Sequence, residues 1–279
     1  MSQLAKAYQV CEGIVSQHSK TFYKAFTVLP SKEKKAVWAV YAFCRSVDDI
    51  VDEGENPEQQ LQEFKMTFDQ FVVGSLQTTD LRWIALRDVF DTYEMDVEPF
   101  YEMIKGQEQD LTKVRFETIE EVLQYSYYVA SSVGLMLLPI LAPANSHKLR
   151  DGAIYLGQAM QITNILRDIG EDFERGRVYM PRDIMAKHQY SFFDIKHQVI
   201  NSSFISLWEE MASVAEELYE EVFKTIDEYP LYSRTPVKGA AYLYRAILGS
   251  VRRNKYQVFK KKNFVSLEEK IKIMSSVLQ

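Results

Sequence analysis

The chain has 279 residues, of which 47% are hydrophobic and 13% aromatic, enough apolar material for a full core without disulfides or a structural metal. Its net charge is −6, which argues against a nucleic-acid binder, whose surface carries a dominant basic footprint. The two cysteines, Cys11 and Cys44, stand in apolar surroundings and read as reduced core residues of a cytoplasmic protein.

The N-terminal stretch MSQLAKAYQVCEGIVSQHSK has no apolar core ending in a cleavage site, so no signal peptide is expected. Pro30-Ser31 predicts a helix start, with Ser31 as N-cap and Glu33 near the positive end of the dipole. That helix is expected to run to about residue 52 or 53, where Gly54 and Asn56-Pro57 stop it. The 3.6-residue spacing of apolar positions predicts further helices over about 57–73, 80–93, 96–112, 118–141, 147–173, 203–228 and 235–259, with a short one after Ser266. Residues 122–146 carry no Asp, Glu, Lys or Arg. They are long enough to cross a bilayer, but Gln124, the Tyr125–Tyr128 polar cluster, Pro139 and Pro143 favour a buried central helix. No strand, repeat or low-complexity linker is evident. The expected fold is all-α: one domain over residues 1–279, a bundle of eight or more helices.

Two helices carry polar residues inside apolar sequence. In AVWAVYAFCRSVDDIVDE (36–53), Tyr41, Arg45, Asp48 and Asp52 fall within an arc of about 60° at 100° per residue. In GQAMQITNILRDIGEDFERGR (157–177), Gln161, Asn164, Asp168 and Asp172 fall within about 80°, with Arg167 to one side. Asp and Asn are poor helix formers, and burying them unpaired costs several kcal/mol. Asp48 and Asp52, one turn apart, also repel each other. A hard cation removes that repulsion, and Mg²⁺ characteristically binds a few carboxylates together with substrate phosphates. Two such ridges would hold several Mg²⁺ ions around a diphosphate, with Arg45 and Arg167 meeting the remaining phosphate oxygens. An EF-hand fits the first segment poorly, because Ile50 would fall on a ligand position and no loop precedes Gly54.

These segments resemble the paired aspartate-rich motifs of the squalene/phytoene synthase family, the trans head-to-head prenyl synthases. HSKTFYKAFTVLP (18–30) is similar to that family's N-terminal signature, and YAFCRSVDDIVDE (41–53) to its first aspartate motif. YSYYVASSVG (125–134) resembles its central helix, and QITNILRDIGEDFERGRVYMP (161–181) its second aspartate motif. The likeness runs from about His18 to Tyr256 and extends to the bacterial dehydrosqualene (diapophytoene) synthases, which share this short length. It implies an isoprenoid-synthase helical bundle with a central cavity. It implies two or three Mg²⁺ ions on Asp48, Asp52, Asn164, Asp168 and Asp172. It implies substrate contacts at His18, Ser19, Lys20, Thr21, Tyr41, Arg45, Gln161, Arg167 and Tyr244, and a catalytic role for Tyr41, Arg45, Asp48, Asp52, Asp168 and Asp172. Ser131 stands where the family usually has Gly, and Lys261 where it often has Arg.

The activity so implied is the joining of two farnesyl diphosphates through a cyclopropyl, presqualene-type diphosphate to dehydrosqualene, for carotenoid biosynthesis. Phytoene synthase acting on geranylgeranyl diphosphate and NADPH-dependent squalene synthase are the alternatives within the class; a non-catalytic helical scaffold is the alternative outside it. Phe22 and Phe26 are expected to cap the substrate tunnel and favour the fifteen-carbon substrate. The rings at Tyr125 and Tyr244 are further candidates to line it, with polar roles expected for Tyr41 and Tyr244 and packing roles for the rest. Residues 173–180, with Arg175 and Arg177, are a candidate lid. Arg252, Arg253, Lys255, Lys260, Lys261 and Lys262 form either a solvated face or a peripheral membrane contact. A downstream desaturase is an expected partner.

Overall fold

A computed structural model describes residues 2–112 and 115–277 of the chain, without the side chain of Thr21. Of the described residues, 78% are helical. Fourteen α-helices follow one another among the described residues: α1 (Gln3–His18), α2 (Lys20–Phe26), α3 (Ser31–Glu53), α4 (Pro57–Val72), α5 (Leu81–Thr92), α6 (Glu98–Thr112), α7 (Ile119–Ser126), α8 (Ser132–Leu141), α9 (Ser146–Glu174), α10 (Arg182–Lys187), α11 (Phe192–Lys196), α12 (Ser202–Thr225), α13 (Leu231–Arg253) and α14 (Leu267–Val277). The one β-type pairing among them is an isolated parallel bridge between Arg115 and Val178. None of these helices is long and apolar enough to cross a membrane.

Local chemistry accounts for most boundaries. Asp80, Thr118 and Asn201 cap α5, α7 and α12 by accepting backbone N–H groups, and Pro57 opens α4 where its missing N–H costs nothing. Ser31 is not a cap: Pro30 holds that position and Ser31 is already helical, with no side-chain capping bond. Helix α13 begins at Leu231, with Pro236 in its second turn, and stops at Arg253 rather than 259. Lys255 and Tyr256 take left-handed backbone angles and turn the chain away. Four helices lay outside the periodicity reading. Of these, α1 had a signal in Ala7, Cys11 and Val15, spaced i, i+4, i+8 and fully buried. Another, α11, had one in the Ser191–Asp194 capping box.

The side chains bury in two clusters. One gathers α1–α6 and α8; the other gathers α7, α10–α12 and residues 258–259. Helices α9 and α13 run through both, giving their first halves to one cluster and their second halves to the other. The charge-free stretch is the buried middle of the bundle, interrupted by a π-helical turn at Tyr127–Ser131. A Cβ on Gly106 would lie 2.7 Å from Val129 Cγ1, and one on Gly157 would lie 2.4 Å from Ser131 Cα. Glycine is therefore required on both helices that close on this turn. Ser131 is fully buried and donates its hydroxyl to the Ile154 carbonyl at 2.7 Å, so a small polar side chain fits there.

Candidate active site

The two polar ridges lie where the clusters meet. On α3, Arg45 pairs with Asp49 and approaches Glu53 at 3.7 Å, while Asp48 accepts a hydrogen bond from Gln107 Nε2 of α6 at 2.6 Å. Burial pushes the Asp48 carboxyl up to about 7; the Arg45 charge opposes this, and Asp52, Asp49 and Asp110 add to it. The Tyr41 phenol is raised to about 12, chiefly by burial, with Arg45 opposing and Asp48 and Tyr244 contributing.

On α9 the ridge is bent. Asp168 departs from helical geometry at φ −108°, ψ 16°. Across this kink the Leu166 carbonyl accepts from the Trp208 indole at 3.0 Å, and the Gly170 N–H donates to the Val258 carbonyl at 3.3 Å. Outside partners thus engage both groups of the helical bond that would span the bend, a recognised cause of kinking. Arg167 donates to Asp168 in a two-pronged pair, at 2.8 Å through Nε. Asp172 is raised to about 7 by burial, with Asp168 and Glu171 adding to the shift and Arg177 and Arg175 opposing it. Tyr244 of α13 stands near Arg167 and Asp168; burial raises its phenol, Arg167 opposes and Asp168 adds.

The segment after α9 joins the ridges. Arg175 and Arg177 donate to the two oxygens of Asp52 at 3.1 and 3.0 Å, so the candidate lid is strapped to α3. Sequence reasoning missed the group behind this strap. Asp110 of α6 accepts from the Tyr125 and Tyr179 hydroxyls at 2.8 and 2.9 Å. Its carboxyl is raised by burial, with Arg177 and the two hydroxyls opposing and Asp52 adding. Tyr125, expected only to pack, therefore also has a polar role. Behind the second ridge, residues 257–262 cross α9 at Gly170, where a Cβ would lie 2.6 Å from Phe259 Cα. This close approach forms a cleft of about 270 Å³ between Arg167, Asp168, Glu171 and Lys260, Lys261 and Lys262. Lys262 pairs with Glu171 at 2.8 Å and lies 3.6 Å from Asp168.

The other expected residues lie at the edges. His18 ends α1, and Ser19 precedes α2 without a side-chain capping bond. Lys20 is exposed, Gln161 is partly buried on α9, and the side chain of Thr21 lies outside the described residues. The Phe22 and Phe26 rings meet at a 40° tilt with centroids 4.4 Å apart, and Phe22 meets Tyr41 at 5.2 Å. Arg252 and Arg253, expected on a solvated face or a membrane contact, are partly exposed and paired with Glu209, Glu216 and Glu269.

The acids suit a hard cation. No three His, Cys, Asp or Glu side chains among the described residues converge on one point; Asp52 and Asp168 are held by guanidinium groups instead. Two buried polar atoms of the proposed site residues nonetheless lack hydrogen-bond partners: Asn164 Oδ1, an acceptor, and Arg45 Nε, a donor. Such atoms are rare in folded proteins and call for a reason. An oxygen-preferring cation on the first and an anionic oxygen on the second would supply one.

The squalene/phytoene synthase family model matches residues 15–269. The chain is 34% identical to the 4,4'-diapophytoene synthase of Staphylococcus haemolyticus, across 98% of this chain and 96% of that one. It is 32% identical to the 15-cis-phytoene synthase of Synechococcus elongatus, across 97% and 92%. The crystal structure of a dehydrosqualene synthase in complex with ligand superposes with a TM-score of 0.93 at 38% identity, covering 99% of this chain and 96% of that one.

Proposed function

The chain belongs to the squalene/phytoene synthase family, prenyltransferases of isoprenoid and carotenoid biosynthesis, and from that premise we propose that it joins two farnesyl diphosphates head to head to give dehydrosqualene. The observation that carries the reading is the pair of acidic ridges tied together through Asp52, with a buried acceptor left over on one and a buried donor on the other.

In this reading Asp48, Asp52, Asn164, Asp168 and Asp172 would hold two or three Mg²⁺ ions. Bound there, Mg²⁺ would neutralise the diphosphate and assist its departure. Arg45, Arg167 and Lys262 contact its remaining oxygens. Tyr41 and Tyr244 remain protonated, because their phenols are raised by burial, and so serve as neutral donors at its edge. The resemblance adds substrate contacts at His18, Ser19, Lys20 and Thr21, which stand at the α1–α2 junction. Gln161, one turn before Asn164 on α9, would contact the substrate from that helix. The allylic carbon released from the first diphosphate bonds to the double bond of the second substrate, and loss of a proton closes the cyclopropane. Loss of the second diphosphate and a second proton gives the linear triene core of dehydrosqualene. The two steps release two diphosphates and two protons and need no reductant, whereas squalene would need a hydride.

The fifteen-carbon substrate is preferred because Phe22, Phe26 and Tyr41 form one ring cluster, with centroids 4.4 and 5.2 Å apart, whose bulk would limit a longer chain on that side of α3. A peripheral contact with an anionic membrane is carried by Phe264, Leu267 and Ile271, each more than half exposed, with Lys260 and Lys261 nearby. A desaturase acting on the product is the expected next enzyme.

The test is incubation of the purified protein with Mg²⁺ and either farnesyl or geranylgeranyl diphosphate, with and without NADPH, followed by mass spectrometry. Dehydrosqualene from the shorter substrate, unaffected by NADPH, is expected. Phytoene from the longer one alone, or squalene formed only with NADPH, would overturn the assignment.

A further inference from the structure

Three of the acids on and around the two ridges face guanidinium groups, and Asp48 is held differently. Asp49 faces Arg45, Asp52 faces Arg175 and Arg177, and Asp168 faces Arg167. Asp48 instead accepts from a neutral amide, Gln107 Nε2, at 2.6 Å. Gln107 is itself buried, at 8% exposure. Its neighbour Gly106 fixes the register of α6, because that glycine lies against Tyr128 and Val129 of the π-turn with no room for a Cβ. The origin of the Gln107 side chain is therefore fixed by packing, and the amide reaches Asp48 from a buried position.

We propose that Gln107 is a positioning residue for Asp48: it fixes one carboxylate oxygen and leaves the other aimed at a divalent cation. A guanidinium in the same place would orient the carboxylate but also neutralise it and compete with the cation. An amide orients it and leaves its charge intact. Partners of this kind, one step behind a metal ligand, typically change metal affinity or activity 10–100-fold when removed. The proposal rests on the reading of Asp48 as a metal ligand.

The test compares wild type, Q107L, Q107M and D48N. Mn²⁺ binding is followed by electron paramagnetic resonance with inorganic pyrophosphate present, alongside the Mg²⁺ concentration for half-maximal rate, the KM for farnesyl diphosphate at saturating Mg²⁺, and the melting temperature. Leucine and methionine keep the volume and lose the donor. Both variants are expected to bind Mn²⁺ about 10–100-fold more weakly and to need correspondingly more Mg²⁺, with KM at saturating Mg²⁺ within about twofold of wild type. Unchanged Mn²⁺ binding in Q107L and Q107M, where D48N does weaken it, overturns the role of Gln107 and leaves Asp48 as ligand. Unchanged binding in D48N overturns both. A joint loss of melting temperature, KM and metal affinity assigns Gln107 to packing and overturns the proposal.

Discussion

Gly170→Ala tests how the second ridge is built. The added Cβ would lie 2.6 Å from Phe259 Cα, 2.7 Å from the Phe259 carbonyl oxygen and 2.9 Å from that of Val258. All three contacts are backbone, so no side-chain rotation relieves them. The crossing segment has to lift from α9, and the 3.3 Å bond from Gly170 N–H to Val258 stretches with it. Overpacking of this sort costs about 1–3 kcal/mol, which for a chain of this size lowers the melting temperature by roughly 2–5 °C. The second effect is on the site. Lys262 leaves Asp168 and Glu171, and the cleft that its neighbours line opens. Little of the stability loss comes from that ion pair, because a half-exposed pair contributes at most about 1 kcal/mol. The KM for farnesyl diphosphate should therefore rise several-fold more than stability alone explains. K262A should raise KM with little change in melting temperature. The double variant should add less in KM than the sum of the two, because both act through the same displaced lysine. Calorimetry and steady-state kinetics on the three variants decide the matter. A G170A protein with wild-type melting temperature and KM would refute the seating of residues 257–262 against α9.

Asp48 and Asp172 carry native carboxyls near 7 against an ordinary value near 4. The folded chain therefore holds more protons than the unfolded one between those values, and this contribution to stability is full below about pH 4 and lost as pH rises through 7. D48N and D172N imitate the protonated acid. Without divalent cations each should be more stable than wild type at pH 8, by about 1–2 kcal/mol after solvent screening, and indistinguishable from it at pH 4; equal melting curves at pH 8 would refute the burial argument. F26A removes one ring of the pair with Phe22 and should shift product formation toward the longer substrate by about tenfold, a difference of about 1.4 kcal/mol, as read by competition between farnesyl and geranylgeranyl diphosphate; an unchanged ratio would place the length limit elsewhere. Replacing Phe264, Leu267 and Ile271 with serine should abolish sedimentation with anionic liposomes, whereas R252A should not, because Arg252 is committed to Glu209 and Glu216; the opposite pattern would return the contact to the basic face.

Helix content, the polar stripes on α3 and α9 and the family were legible in the sequence, because each depends on residues within a few turns of one another. Tyr41, Arg45, Asp48 and Asp52 share a face on any regular helix, and capping and breaking residues mark its ends. Asn164 and Asp172 were placed by the same rule, but α9 is not regular. Its bend at Asp168 arises from Trp208 and Val258, which are distant in sequence, so no local spacing reveals it. Gln107 and Asp110 were missed because α6 looks like any amphipathic helix until its packing against α3 and the π-turn sets which side chains point at Asp48, Tyr125 and Tyr179. Arg175 and Arg177 could be named from the sequence, but their partner Asp52 could not, since a charge finds its counter-charge through space. Periodicity tells a side chain which way to face along its own helix. Only close packing, which lets α9 meet the crossing segment at Gly170 and α6 meet the π-turn at Gly106, decides what it faces.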